Sequence, residues 1–383
     1  MRKITPQTAI ALALVSILFF PAVVSRAAEM PGRGGILNFV VSAEPPSYDG
    51  HRETTFAMLH PIRPFYSVLI RVNPENPSSP TDFVGDLALE VPTPTDGGKI
   101  YTFKLRRDAS FWDGQRLTAH DVVATFNKII FPPPGVHSAR KGFYGMVDKV
   151  YAADDYTVVF ALKYPSSAFI PAVANPFNFI YNAKKLAQDI HWYEKHILGS
   201  GPFIFVQHQP GAFIEGKRNP NYHHAGKPYL DGFRALFVEQ QSARVEAIRS
   251  GQALIEFRGF PPKVRDDLIR ALGTQITLQA CDWNCVVLVT PNHLVKPFDD
   301  PRVRRALTLA IDRWGGSKYL SRIAIVKSVG GIVFPGHPLA ATKEELQEIA
   351  GYWPDLEKSR AEARRLLREA GVPEGFTFKF HIR

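Results

Sequence analysis

Two groups of side chains in this sequence mix charged, polar and flat surfaces as a binding site for a small solute would. The first is Glu53, Thr54 and Thr55, with Tyr48, Asp49 and His51 just before them where the chain leaves a proline turn. The second is Asp282, Trp283 and Asn284, a large ring beside a carboxylate and an amide. Such sets orient a ligand with a few hydrogen bonds and cover its apolar parts. Arg140, Phe143 and Tyr144, after a triple proline, form a third candidate. Plainer readings stand beside these: Trp283 as a core or interface aromatic, and residues 140–144 as an exposed loop. His223 and His224 read as surface residues of a turn and not as metal ligands, so neither a metal nor a cofactor is expected. There is no Gly-x-Ser-x-Gly elbow, no His-Glu-x-x-His helix and no phosphate loop, and nothing sets an acid beside a base. No catalytic residue is therefore expected, and an exported hydrolase is kept only as the competing class, to be separated by turnover of peptide or ester substrates.

The two cysteines are Cys281 and Cys285. In extended chain their Cα atoms would lie roughly 13 Å apart, beyond the ~7 Å a disulfide spans, so a bridge needs a turn or helix between them. Residues 276–278 and 286–289 read as flanking strands, and a bridge across a tight bulge and two free thiols both stay open. No second His/Cys pair at ligand spacing accompanies them, which argues against zinc.

The elements that would position these groups follow from periodicity. Residues 100–105 alternate, with Tyr101, Phe103 and Leu105 on one side, the pattern of a half-buried strand. Asp113-Gly114 then marks a turn, and Thr118 stands three residues before Asp121 as a helix N-cap does with an acidic partner. Val122, Val123, Phe126, Ile129 and Ile130 make one apolar helical face, ended by Pro132, Pro133 and Pro134. Residues 34–41 predict a first strand, 54–69 a helical region with Met58, Leu59 and Ile62 inward, 157–162 a strand after an Asp-Asp turn, and 244–251 a helix. Residues 199–203, Gly-Ser-Gly-Pro-Phe, suggest backbone angles open to glycine that let a strand start sharply. Asp300 caps and Pro301 begins a helix whose face is Val303, Ala306, Leu307, Ala310 and Ile311. A further helix over 356–370 ends at Gly371, and 376–382 starts a strand. Residues 32–35 lack the spacing of a dinucleotide fingerprint.

The chain has 383 residues with a net charge of +10, and 45% of its residues are hydrophobic. Lys and Arg are spread along it and not gathered into a run, which speaks for a solvated surface and against nucleic acid as a partner. Arg2 and Lys3, an apolar run over 9–20, Pro21 and the small residues Ser25, Ala27 and Ala28 form an export signal with cleavage near Ala27. The run is short of the ~20 residues that span a bilayer. No cysteine stands at the cleavage region, so a lipid anchor is not expected and the predicted compartment is the periplasm.

The wording of several segments goes further than their periodicity. Residues 101–126, the opening 43–49 (Ala-Glu-Pro-Pro-Ser-Tyr-Asp), 199–203, 218–222 (Arg-Asn-Pro-Asn-Tyr) and 297–307 occur in an order that resembles the family 5 extracellular solute-binding proteins. After Gly251, where that family carries an Asp, this chain departs with Ala253-Leu254-Ile255. The resemblance implies an α/β, periplasmic binding protein type 2-like fold: two α/β lobes joined by a hinge, plus a small extra domain. On that basis 28–50 and 176–275 would form the first lobe, 51–175 the small domain inserted in it, and 276–383 a second lobe. It also implies a receptor of an ATP-driven importer, monomeric when complete, that captures a small molecule or peptide and delivers it to a permease and ATPase complex at the inner membrane. The ligand contacts expected from this chain are Glu53, Thr54, Thr55, Tyr144, Asp282, Trp283 and Asn284. Family members run on past this point, and their residues that grip a peptide's main chain come from that later part. The second lobe is thus expected to be truncated, with poor solubility or oligomer formation for the isolated chain, and a degraded receptor that binds nothing is a third reading.

Overall fold

Residues 36–41 place Phe39 and Val41 on one side and Val40 on the other, all buried. A strand apolar on both sides belongs inside a sheet covered on both faces. In the computed structural model, which describes residues 31–77, 79, 81–257, 259–279, 288–323, 328–333, 335 and 337–381, this strand, β1 (Ile36–Val41), has a parallel neighbour on each side. They are β9 (Gly232–Phe237) and the short β10 (Ile255–Glu256). Two antiparallel strands, β8 (Phe213–Arg218) and β7 (Phe203–Gln209), extend the sheet to the order β10-β1-β9-β8-β7. Phe39 and Val41 pack into the main core with Met58, Leu59 and Ile62 of helix α1 (Phe56–Ile62). Val40, on the opposite face, packs with Ala247 of helix α5 (Gln241–Arg249) and with Ala253.

The expected strand, turn and capped helix are present in the middle of the chain. Strand β4 (Ile100–Lys104) and strand β5 (Val147–Asp154) flank β6 (Thr157–Leu162) in an antiparallel sheet. Helix α2 (Ala119–Ile130) packs on it through Phe126, whose ring meets Phe160 edge-on at 4.9 Å. Asp121 Oδ2 accepts from the Thr118 backbone N–H at 2.8 Å and from its hydroxyl at 3.2 Å, while Oδ1 accepts from Ala183 N at 2.8 Å. One carboxylate so caps α2 and ties it to the start of α4 (Ala183–Gln188). In chain order β2 (Ile70–Val72) and β3 (Phe83–Gly85), which pair with each other, come between β1 and β4, and α3 (Phe169–Val173) follows β6.

The Gly-Ser-Gly segment corrects the reason given for it. Gly199 and Gly201 do not have positive φ. They are small because residues 64–66 run against them: a Cβ on Gly199 would lie 1.9 Å from the Phe65 carbonyl oxygen.

The region from 276 on differs from the expected strand-and-helix lobe. Helix α6 (Pro262–Leu272) precedes it, and within it helices α7 (Pro301–Ala310), α8 (Arg313–Ile323), α9 (Lys343–Glu348) and α10 (Leu356–Glu369) are formed. Residues 276–279, 288–290 and 376–381 are not in strands. A strand needs a neighbouring strand for its N–H and C=O groups, and among the described residues these segments pair with none. In α7 the buried face is Val303, Ala306 and Leu309, packed on Ala363 and Leu366 of α10, whereas Ile311 is 43% exposed. The helix ends at Ala310 and Ile311 is extended, so its side chain leaves the helical phase.

Candidate functional site

β1, β9 and β10 are parallel, so their C-terminal ends share one edge of the sheet. From that edge β1 continues to α1 on one face and β9 to α5 on the other, as the packing of Phe39 and Val40 shows. Adjacent strands whose chains part to opposite faces leave an opening between them, and ligands of open α/β sheets bind there. Residues 42–55 after β1, 238–240 after β9 and those following Glu256 line this edge.

Segment 42–55 is fixed by a buried charged knot. Lys128 Nζ lies 2.5 Å from Asp49 Oδ2, with both side chains at 3% exposure or less. The Tyr181 hydroxyl donates to Asp49 Oδ1 at 3.1 Å and accepts from Gly50 N at 2.8 Å. Burial alone would raise the Asp49 carboxyl, but the Lys128 ammonium and the His51 amide bring it below its ordinary value. His51, wholly buried, makes a 2.9 Å hydrogen bond to the Phe179 carbonyl, and its Nδ1 is buried without a hydrogen-bond partner. Burial first, and Lys128 second, push this imidazole down to about 3. Arg140 straps the outer side: it donates to the Gly50 carbonyl at 2.9 Å and the Glu53 carbonyl at 2.8 Å and lies 3.9 Å over the Phe177 ring. Burial lowers it to about 10.

A pH dependence follows. The unfolded chain binds a proton at His51 below its ordinary 6.5, while the folded ring stays neutral down to about 3. Stability is therefore intact above that upper value and is lost as pH falls through the interval, by about 1.4 kcal/mol per pH unit from this one group. Chemical denaturation at about pH 7, 6 and 5 should record the decline, and His51→Gln should flatten it.

The expected contacts separate on this frame. Glu53 stays at the edge, half-buried, accepting from the Ser47 hydroxyl at 2.9 Å. Thr54 is exposed, and Thr55 caps α1 by accepting from Met58 N at 3.3 Å. Tyr144 is the correction: it is 1% exposed, its hydroxyl donates to the Ala172 carbonyl at 2.8 Å, and Asn178 Nδ2 donates to it at 2.9 Å. Its polar atom is used up inside the core, so it offers nothing to a ligand. Arg140, too, is a buried clamp, and the loop that carries it is not the exposed one expected, whereas Phe143 is exposed. Asp282, Trp283 and Asn284, with Cys281 and Cys285, lie outside the described residues.

Sequence reasoning passed over an aromatic stack at the same edge. Phe257, directly after β10 and 46% exposed, stacks on His60 at 4.9 Å and 9°, and His60 stacks on Phe56 at 5.3 Å. Phe56 and His60 are four apart on α1 and so share a face, which was the available signal. Phe257 is brought to them by the β10–β1 pairing, which no local pattern announces. Tyr48 Oη and His208 Nδ1 are 2.5 Å apart and His208 Nε2 lies 2.8 Å from Glu44 Oε1, pinning the turn after β1 to β7.

A second polar cluster lies elsewhere. Contrary to the surface-turn expectation, His223 is buried; its Nε2 is 3.5 Å from Asp86 Oδ1, and His224 Nε2 is 2.9 Å from the same oxygen. Burial would raise Asp86, but the two imidazoles and the nearby Arg63 and Arg71 hold it well below the carboxylate range.

Comparison with known proteins agrees with this architecture. The model of the bacterial extracellular solute-binding proteins, family 5 Middle, matches residues 82–382. The glutathione-binding protein GsiB of Salmonella choleraesuis (strain SC-B67) is 31% identical over 293 residues, covering 74% of this chain and 52% of that protein. The chain thus spans about half the length of the curated relatives it matches. Among solved structures, AgaA from A. tumefacien R10 in complex with agropinic acid superposes with a TM-score of 0.69 at 23% identity, covering 89% of this chain and 65% of that one. The oligopeptide-binding protein AppA of Bacillus subtilis in complex with a nonapeptide gives 0.65 at 24% identity, with the same coverage of 89% and 65%. The mixed α/β fold is that of periplasmic binding proteins of type 2-like architecture.

Proposed function

The chain belongs to the bacterial extracellular solute-binding proteins of family 5, and on that premise we propose that it is the receptor of an ATP-driven importer for a peptide-type solute. The ligand, a short peptide or glutathione as bound by the relative GsiB, sits at the sheet edge where β1, β9 and β10 end. The observation that carries this is the polar segment 42–55 leaving β1 opposite the exposed ring of Phe257. Glu53 and Thr54 supply hydrogen bonds to polar main-chain groups of the ligand, and the Phe257–His60–Phe56 stack covers its apolar part. Asp282, Trp283 and Asn284 contribute from the passage between the first lobe (28–50 and 176–275) and the second (276–383), with 51–175 as the small inserted domain. Closing of the two lobes is driven only by the ligand's better fit to the closed state. The protein works outside the inner membrane after export by residues 1–27 and hands its cargo unaltered to a permease and ATPase complex.

Titration calorimetry with glutathione and di- to pentapeptides tests this. Saturable binding is expected, with the ligand recovered chemically unchanged by mass spectrometry; its hydrolysis would move the protein to the competing class. Phe257→Ala should weaken binding by about tenfold, since a stacking aromatic is worth about 1 kcal/mol or more. Because the ring also meets buried Phe39 edge-on at 5.1 Å, a modest fall in melting temperature is expected as well, and unchanged affinity would remove the stack from the site.

A further inference from the structure

We propose that Asp86, His223 and His224 hold one divalent transition-metal ion, of the class that zinc represents, at a site separate from the sheet edge. One carboxylate oxygen of Asp86 and one ring nitrogen of each histidine all lie within 4.8 Å of one another. Ligands about 2.0–2.2 Å from a common ion stand about 3.0–3.5 Å apart in tetrahedral or octahedral arrangements. The two Asp86–imidazole separations, 2.9 and 3.5 Å, bracket that range. Two imidazoles and one carboxylate, leaving a further position for water, make an open zinc-type donor set.

The surroundings orient these ligands. Asp86 Oδ2 accepts from Val68 N at 2.9 Å, which turns Oδ1 toward the histidines. Arg106 donates to the His223 carbonyl at 2.7 Å and so fixes the backbone that carries the imidazoles. Outer partners of this kind set ligand orientation in metal sites. The side chains of Asp86 and His223 are 1% exposed and that of His224 is 23% exposed, which leaves an entry on the His224 side. Arg63 and Arg71 oppose a cation here by their charge. The ion must therefore be held by imidazole coordination and not by a negative field, which selects the zinc class over calcium or magnesium. The site ties the segment after β3 to the turn after β8, two parts of the chain far apart in sequence.

The test is calorimetric titration of the chelator-stripped chain with zinc chloride, alongside melting curves. One equivalent should bind with a rise in melting temperature, and calcium should give neither. His224→Ala, at the most exposed ligand, should fold and lose roughly a hundredfold in affinity, since even outer partners are worth 10–100-fold. Asp86→Asn should do the same. Exchange of Cys281 and Cys285 for serine, and His191→Ala at an exposed histidine, should leave uptake unchanged. Cobalt bound to the parent should show a visible absorption band that His224→Ala abolishes. No saturable zinc uptake, uptake undiminished in His224→Ala, or uptake lost with the cysteines would each overturn the proposal.

Discussion

Lys128→Met is expected to destabilise the folded chain by about 3–5 kcal/mol, the usual cost of removing one partner from a buried ion pair. The Lys128 and Asp49 side chains are 2% and 3% exposed, so solvent cannot replace the lost charge. Asp49 would keep the Tyr181 hydroxyl and the His51 amide, which satisfy Oδ1 but do not neutralise the carboxylate. Urea denaturation measures the loss, and the cycle is completed with Asp49→Asn and the double variant. The double variant should recover a large part of it, because no unpaired charge then remains. The damage should also shrink at acid pH, where the stranded carboxyl takes a proton. An effect below about 1 kcal/mol would mean that water reaches Lys128 or that the pair is not formed. At the proposed site, loss of ligand binding should accompany it, because Asp49 anchors the segment that carries Glu53 and Thr54.

Gly201→Ala should be at least as damaging. An added Cβ would stand 2.5 Å from the carbonyl carbon of Phe65, 2.5 Å from Tyr66 N and 2.7 Å from the Pro64 oxygen. These are backbone atoms, held by the Gly201 N–H to Phe65 carbonyl bond at 3.0 Å and by Asn219 Nδ2 donating to the Gly201 carbonyl at 2.8 Å. Nothing flexible can give way, so the cost should be about 4 kcal/mol or more, read as a collapse of soluble yield and of the urea midpoint. Gly142→Ala, with open space around it and no positive φ, is the control and should change stability by less than about 0.5 kcal/mol. Comparable behaviour of the two variants would show that the segment does not press on residues 64–66.

These two sites mark the boundary of what the sequence could say. The α2 module was legible because its cap, turn and apolar stripe are all local: Thr118 and Asp121 are three apart and bond to each other. β1 was legible for the same reason. The Gly-Ser-Gly run was noticed for the wrong cause, since angle preferences are local while the approach of Phe65 is not. Tyr144 and His223 were misplaced likewise: each follows a turn-rich stretch, and only contacts with Ala172 and Asp86, distant in sequence, bury them. Asp49 stood among the candidates, but its partner Lys128 lies on the far end of α2, 79 residues away, and a lysine is read as solvated by default. Phe257 was missed because a two-residue strand brings it into place.

The position of β1 at the middle of the main sheet governs the order in which the molecule can assemble. Both of its neighbours come from around 200 residues downstream, Ile36 facing Gly232 and Phe39 facing Ile255. As the polypeptide is synthesised, the stretch nearest its beginning has no mate until most of the rest has appeared, and closing so large a loop is slow. Strand β1 is thus among the last parts of the sheet to be locked in. Until β9 and β10 arrive, its backbone N–H and C=O groups stay open to whatever else can pair with an unmatched strand.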